Sequence, residues 1–199
     1  MKLRNILIIS LCLFVGVAFA AEPPPLKIMK TTSSRMLSAL QRNKSRLHSR
    51  KVIHRIVRKI VLPKMDVTTI ARSVVGRQYW SIASRRSRKQ FISTFTSYVI
   101  DMYSTALSAF SDEVIRFRPM RTYSSAMSRV RIYSQVQRPG RPPVSLNYRM
   151  LKRGSTWKIY DFSVGGVSMV RSYRAQFADT LNNGGLKLLV RKLQSRYKR

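Results

Sequence analysis

The chain has 199 residues, 44% of them hydrophobic, enough to bury the core of one domain. Its 39 Lys and Arg against 7 Asp and Glu give a formal charge of +32, which favours polyanionic surfaces, whether nucleic acid or anionic lipid headgroups. The single cysteine, Cys12, excludes a disulfide framework and a cysteine-ligated zinc site.

The first residues read as an export signal. Lys2 and Arg4 form a charged head, Ile6 to Val17 an apolar run, and Ala18-Phe19-Ala20 a small-residue cleavage site. The run is about twelve residues, short of the roughly 20 that span a bilayer, and nothing later in the sequence approaches that length. Cleavage after Ala20 (residues 1–20 as signal peptide) leaves residues 21–199 as a single exported domain. Cys12 leaves with the leader; it follows Leu11, where a lipoprotein signal carries a small residue, so lipid attachment is not expected. Loss of Lys2 and Arg4 brings the charge to +30. The basic residues are spread along the chain with no RNA-binding signature or zinc-finger spacing, and export argues against nucleic acid. Much of the charge therefore reads as solvated surface.

After Pro23-Pro24-Pro25 the chain reads as helical as far as Phe110. Val52, Ile56, Val57 and Ile60 recur at helical spacing, and Pro63 marks a break. Asp66 has the character of an N-cap for a short helix through Val75, with Gly76 just beyond its end. The longest helix is expected over Arg85–Phe110, with an apolar stripe of Phe91, Phe95, Val99, Met102, Ala106 and Phe110 flanked by a second of Ile92, Thr96, Tyr103 and Leu107. From Glu113 the period drops to about 2. Val130, Ile132 and Val136 alternate with polar residues, as do Val144, Leu146, Tyr148 and Met150. Pro139 to Pro143 form the tight connection between those strands. A third strand is expected over Thr156–Val164, with Trp157 and Ile159 on one face and Tyr160, Phe162 and Val164 on the other; a fourth covers Val114–Arg118. Two short helices, Ser168–Asn182 and Leu186–Tyr197, are separated by Gly184-Gly185. The order predicts an α+β domain in which helices pack on a curved antiparallel sheet of about four strands, with NTF2-like character.

Catalytic chemistry is poorly supplied. His48 and His54 are six apart on a basic segment and fall on different helical faces, which suits neither a metal pair nor a general base with an orienting carboxylate. Gly166-Val167-Ser168-Met169-Val170 lacks the second glycine of a nucleophile elbow and no histidine follows it. Ser155-Thr156-Trp157-Lys158 fits S-x-x-K only as a string. The acids are scattered, so a two-carboxylate hydrolase and a calcium site are not expected. Neither an enzyme, nor a metal, nor a cofactor is predicted. Asp161 stands in an apolar strand and must be paired or hydrogen-bonded there, to an arginine such as Arg174 or to backbone amides at the start of the following helix.

Taken in order, these residues resemble the MlaC (toluene-tolerance) family. Trp157-Lys158-Ile159-Tyr160-Asp161, then Gly166-Val167-Ser168-Met169-Val170, Tyr173-Arg174 and Phe177 are similar to its C-terminal signature. Pro63, Asp66, Gly76-Arg77-Gln78-Tyr79-Trp80, Arg88, Phe91, Phe95, Tyr103 and Gly140-Arg141-Pro142-Pro143-Val144 fall where the family has equivalents. The resemblance implies a periplasmic, monomeric carrier that holds a phospholipid by its tails in an apolar cavity between sheet and helices, the headgroup in solvent, with no resident cofactor. The side chains expected to line that cavity are Val74, Phe95, Val99, Met102, Tyr103, Ile132, Leu146, Tyr148, Met150, Trp157, Ile159, Val167 and Met169; Asp161 and Arg174 are expected to be structural. Implied partners are an inner-membrane MCE-type ABC transporter complex and an outer-membrane lipoprotein-porin complex. The segment Arg85-Arg86-Ser87-Arg88-Lys89 is more basic than in relatives, and Arg85, Arg86 and Arg88 are the expected docking surface. Two other readings stay open: a periplasmic carrier of another apolar lipid, such as an isoprenoid or hopanoid, and a basic protein that binds polyanions through its surface.

Overall fold

The computed structural model describes residues 22–197; the export leader and its cleavage site lie outside the described residues. Five helices precede the sheet. Helix α1 (Pro24–Arg42) begins with prolines whose fixed φ suits a first turn, and it buries Leu26, Met29, Ser33 and Leu40 at spacings of three, four and seven. Helix α2 (Arg50–Ile60) buries Val52, Ile53 and Ile56 beneath a basic outer face. Helix α3 (Val67–Val75) starts where the Asp66 carboxylate accepts the Thr69 backbone N–H at 2.9 Å. It ends at Gly76, whose φ of 86° and ψ of 155° only glycine adopts without strain, and this residue turns the chain directly into α4 (Arg77–Ile82). Helix α5 (Arg85–Ser108) is capped by Ser84, whose hydroxyl accepts the Ser87 N–H.

The sheet has six strands: β1 (Val114–Phe117), β2 (Arg129–Ile132), β3 (Ser134–Arg138), β4 (Arg141–Arg153), β5 (Thr156–Val164) and the stub β6 (Val167–Ser168). All named pairings are antiparallel. Strand β4 is long enough for β3 to pair with its first half and β2 with its second, so the strand expected through Val130, Ile132 and Val136 is broken in two. Ser134 explains the break. Its N–H donates to the Asn147 side chain at 3.2 Å and its hydroxyl to the Leu146 carbonyl, so side-chain bonds replace ladder bonds where the strand bends. The hairpin is also tighter than expected: Arg138 pairs with Arg141 across Pro139-Gly140, and Pro142 and Pro143 already belong to β4.

A bulge corrects the expected facing of β5. Tyr148 pairs with Phe162 but Met150 pairs with Ile159, so an extra residue of β5 is accommodated near Tyr160 and the alternation shifts. Ile159, Phe162 and Val164 consequently all face the interior cavity, while Tyr160 lies against the guanidinium groups of Arg149 and Arg129, 5.3 and 6.0 Å from its ring centre. Bulges and the Ser134 break curve the sheet around the helices.

Helix α6 (Met169–Tyr197) closes the domain and is interrupted where expected, at Gly184 and Gly185. Its aromatics pack on α5. Tyr173 and Phe177 meet Phe95 edge-on at 5.2 and 5.9 Å, in a cluster that also takes in Val74, Trp80 and Phe91. A second cluster joins Leu26 and Met29 of α1 to Val130, Ile132, Met150, Trp157 and Ile159 of the sheet. A third joins the end of α1 to α2 and the end of α5, through Leu40, Leu47, Ile53 and Ile100. No helix among the described residues is long and apolar enough to cross a membrane.

Candidate lipid cavity

The three clusters do not merge into one solid core. Between them lies a cavity of about 510 Å³ whose wall is almost wholly apolar, within the range typical of small-ligand sites. Helix α5 forms one side with Ile92, Phe95, Thr96, Val99, Tyr103 and Leu107. Both expected stripes reach the cavity: Phe95, Val99, Ala106 and Phe110 of the first line it beside the flanking row, whereas Phe91 packs in the cluster shared with α6. Val74, Ala71 and Ile70 of α3 and Met169 and Tyr173 of α6 close one end. The curved sheet supplies Ile115, Val136, Val144, Leu146, Tyr148, Ile159, Phe162 and Val164.

Of the side chains expected to line a cavity, Val74, Phe95, Val99, Tyr103, Leu146, Tyr148, Ile159 and Met169 do so. Ile132, Met150 and Trp157 do not. They are buried in the second cluster, where Leu26 and the first turns of α1 fill that end of the sheet. Met102 shares a helical face with Phe91 and Phe95 but is 57% exposed and does not line the cavity. Val167 is 58% exposed because in the stub β6 it is Ser168 that turns inward. The wall includes residues that strand and α5 patterns did not single out: Met29, Met36, Leu37 and Leu40 of α1, Val57 of α2, and Val61, Leu62 and Met65 after it. For those of α1 the signal is the recurrence Leu26, Met29, Met36/Leu37, Leu40 at helical spacing, interrupted by Thr32 and Ser33. Methionine and aliphatic side chains make such a wall deformable.

Polar groups at the wall are mostly spoken for. Thr32 donates to the Ile28 carbonyl at 2.7 Å, and the Tyr103 hydroxyl lies 3.0 Å from the Met169 sulfur. Burial pushes the Tyr148 phenol up to about 12, and burial likewise raises Tyr103 and Tyr173, so all three are neutral in the physiological range. No group of three or more His, Cys, Asp and Glu is placed to hold a metal among the described residues. His54 lies 2.6 Å from Asp101, tying α2 to α5 behind the wall rather than presenting a base to the cavity.

Asp161, 4% exposed, resolves the alternatives left by the sequence. It accepts from the Ser168 hydroxyl and the Val170 backbone N–H at the start of α6, the second of the two expected arrangements. The nearest arginine is Arg149, at 3.8 Å; Arg174 instead donates to the Ser73 carbonyl at 2.7 Å and ties α6 to α3. The basic segment divides too. Arg85 and Arg86 are exposed, but Arg88 lies over the Trp80 ring at 5.5 Å and donates to the Ser81 carbonyl at 3.0 Å, which makes it a brace between α4 and α5.

Helices folded on a curved antiparallel sheet around a closed-ended apolar cavity define a binding protein for a hydrophobic ligand. The chain belongs to the MlaC protein family, whose sequence pattern matches residues 30–195. It is 26% identical over 178 residues to the "Intermembrane phospholipid transport system binding protein MlaC" of Haemophilus influenzae, covering 87% of this chain and 82% of that one. It is 23% identical over 184 residues to the "Toluene tolerance protein ttg2D" of Pseudomonas putida, covering 92% and 84%. A phospholipid-binding protein from Ralstonia solanacearum, solved in complex with a phospholipid, superimposes with a TM-score of 0.80 at 26% identity, covering 88% of this chain and 97% of that one.

Proposed function

We propose that this protein is a non-catalytic periplasmic phospholipid carrier that shuttles lipid between an outer-membrane lipoprotein-porin complex and an inner-membrane MCE-type ABC transporter, and so maintains outer-membrane lipid asymmetry. The observation that carries this reading is the apolar cavity between α5 and the curved sheet. It is supported by membership of the MlaC family and by likeness to a protein solved with a phospholipid bound.

The energetics explain why a carrier is needed and why this interior suffices. Two acyl chains carry about 30 methylenes, and at about 0.8 kcal/mol each their exposure to water costs roughly 25 kcal/mol. Unassisted diffusion through an aqueous compartment is negligible. A carrier must match the apolar interior of a membrane rather than outbind it, so that loading and release are both near neutral. A wall of aliphatic, Met and aromatic groups with most of its hydroxyls already bonded does this. The one carboxylate deep in the wall, Asp161, is engaged by Ser168 and Val170.

The test is identification of what the protein carries. Protein purified from the periplasm of its own host, analysed by native mass spectrometry and lipid extraction, is expected to hold diacyl phospholipid through desalting. Protein that is consistently empty, or that carries an isoprenoid or hopanoid, overturns the reading.

A further inference from the structure

The cavity wall carries formal charge at few places, and these differ in how they are satisfied. The Asp161 carboxylate is engaged by Ser168 and Val170 at the start of α6. Glu113 accepts the Ser111 backbone N–H at 2.8 Å. Arg138, at the end of β3, is different: its Nε is buried, and no hydrogen bond or ion pair reaches it among the described residues. The other buried side-chain nitrogen left without a partner there is Nε of Arg88, whose guanidinium already has Ser81 and Trp80. Arg138 as a whole is half-buried, but its Nε is a donor withdrawn from water without an acceptor, which is costly, so its position calls for an anion.

Its place in the fold says which anion. Ile115 pairs with Val136 and Val136 with Val144, and all three line the cavity together with Glu113 and Arg138. These residues are half-buried, whereas Ala71, Val74 and Phe95 at the other end are fully buried. The β1, β3 and β4 ends therefore form the mouth. The aliphatic stem of Arg138 shares the apolar wall with Val136 and Val144, and its charged head sits where wall gives way to solvent. Arg141, its pairing partner across the Pro139-Gly140 turn, adds a second cation at the same rim.

We propose that Arg138 is an anion site at the cavity mouth that binds the phosphodiester of the loaded lipid, so that the headgroup is gripped at its phosphate. This rests on the lipid-carrier reading above. Tails that fill the apolar interior leave the glycerol phosphate at the rim, because a phosphate drawn deeper would lose its hydration with nothing in return. The planar fork of an arginine matches two phosphate oxygens, and charge-assisted bonds of this kind are the stronger class. Choice of chain length stays with the wall, and preference for a phosphorylated headgroup falls to Arg138.

The experiment loads the full-length mature protein from vesicles containing equal amounts of phosphatidylglycerol and diacylglycerol with the same acyl chains, and reads the bound ratio by mass spectrometry. Wild type is expected to prefer the phospholipid by about tenfold, Arg138→Gln to take both nearly equally, and Arg138→Lys to fall between. Undiminished diacylglycerol uptake shows that a variant is folded; should Arg138→Gln lose both lipids, Arg138→Lys decides by the same ratio. An unchanged ratio in the variants overturns the assignment while leaving the carrier intact, whereas wild type that takes up neither lipid overturns the carrier reading itself. Inorganic phosphate that binds the empty protein through Arg138 and excludes phosphatidylglycerol and diacylglycerol alike would make this a free-phosphate site and overturn the lipid assignment.

Discussion

The carboxylate of Asp161 on β5 accepts a 2.7 Å hydrogen bond from the hydroxyl of Ser168, and that hydroxyl in turn accepts the Arg171 backbone N–H at 3.3 Å. Ser168 is thus the N-cap of α6, and Asp161 fastens the cap to the sheet while taking the Val170 N–H directly. Asp161→Ala leaves both donors buried without an acceptor and is expected to lower stability by about 2–3 kcal/mol. Arg149 is exposed enough to be solvated when the carboxylate is lost, so its contribution to that figure is small. Urea denaturation checks this: an unchanged midpoint would mean that α6 is held by its aromatic packing alone.

Asp66 does for α3 what Asp161 does for α6. Burial works to raise its carboxyl, but the Thr69 backbone N–H and the Arg153 guanidinium, 2.7 Å away, outweigh it and hold the group below its ordinary value of 3.8. A carboxylate depressed in the folded state stabilises fully above its unfolded value and loses that contribution as pH falls through the folded one. Asp66→Asn should therefore cost stability at neutral pH and progressively less below pH 3.8. Parallel acid titrations of the two proteins, followed by circular dichroism, are expected to converge; a constant offset down to the acid limit would assign the effect to something other than charge.

Much of this architecture was legible because helix and strand periodicities are local. Asp66, Gly76, Pro63 and Gly184-Gly185 punctuate the chain by their own backbone chemistry, and the structure breaks at each. Facing within β5 was not legible, since the bulge near Tyr160 is set by how β5 registers on β4 and leaves no mark in the alternation of Trp157 to Val164. The same holds for the site. Leu146, Tyr148 and Ile132 look equivalent in sequence, and only the packing of α1, with Leu26 seated in the cluster and Met29 at its border with the gap, decides that Ile132 is enclosed while Leu146 and Tyr148 also border the gap.

That distinction can be tested by adding volume. Val99 lines the cavity and Ile132 lies in the solid cluster with no exposed surface. Val99→Trp is expected to place its ring in the cavity, with a stability change under about 1 kcal/mol and a several-fold loss of bound lipid. Ile132→Trp has no such room and should cost about 1–3 kcal/mol or more, as overpacking does. Thermal melts beside extracted-lipid quantification separate the two. Equal destabilisation by both substitutions would mean that the space beside Val99 is too small to accept a ring.

The basic start of α5 carries the last prediction. Arg85, Arg86 and Arg88 occupy its first turns, where the helix dipole presents positive charge and disfavours cations, and the first turn holds no acidic residue. Arg88 is accounted for by Trp80 and Ser81, so Arg88→Gln should loosen α4 from α5 and lower the melting temperature. Arg85 and Arg86 have no such partner among the described residues. Replacing both with Gln should leave stability unchanged or raise it by about 0.3–1 kcal/mol per residue at low salt. Side chains kept at a small cost to the fold suit a docking role, in which a strongly cationic carrier is steered toward anionic membranes or acidic partner surfaces. Such steering is screened beyond about 8 Å at physiological ionic strength. The Arg85→Gln/Arg86→Gln protein should therefore carry as much lipid as the parent but transfer it more slowly at low salt, the gap closing as salt rises. Transfer from donor liposomes to an acceptor membrane complex across a salt series checks this: a defect that persists at high salt, or a loss of bound lipid, would move these arginines from the docking face to the lipid site.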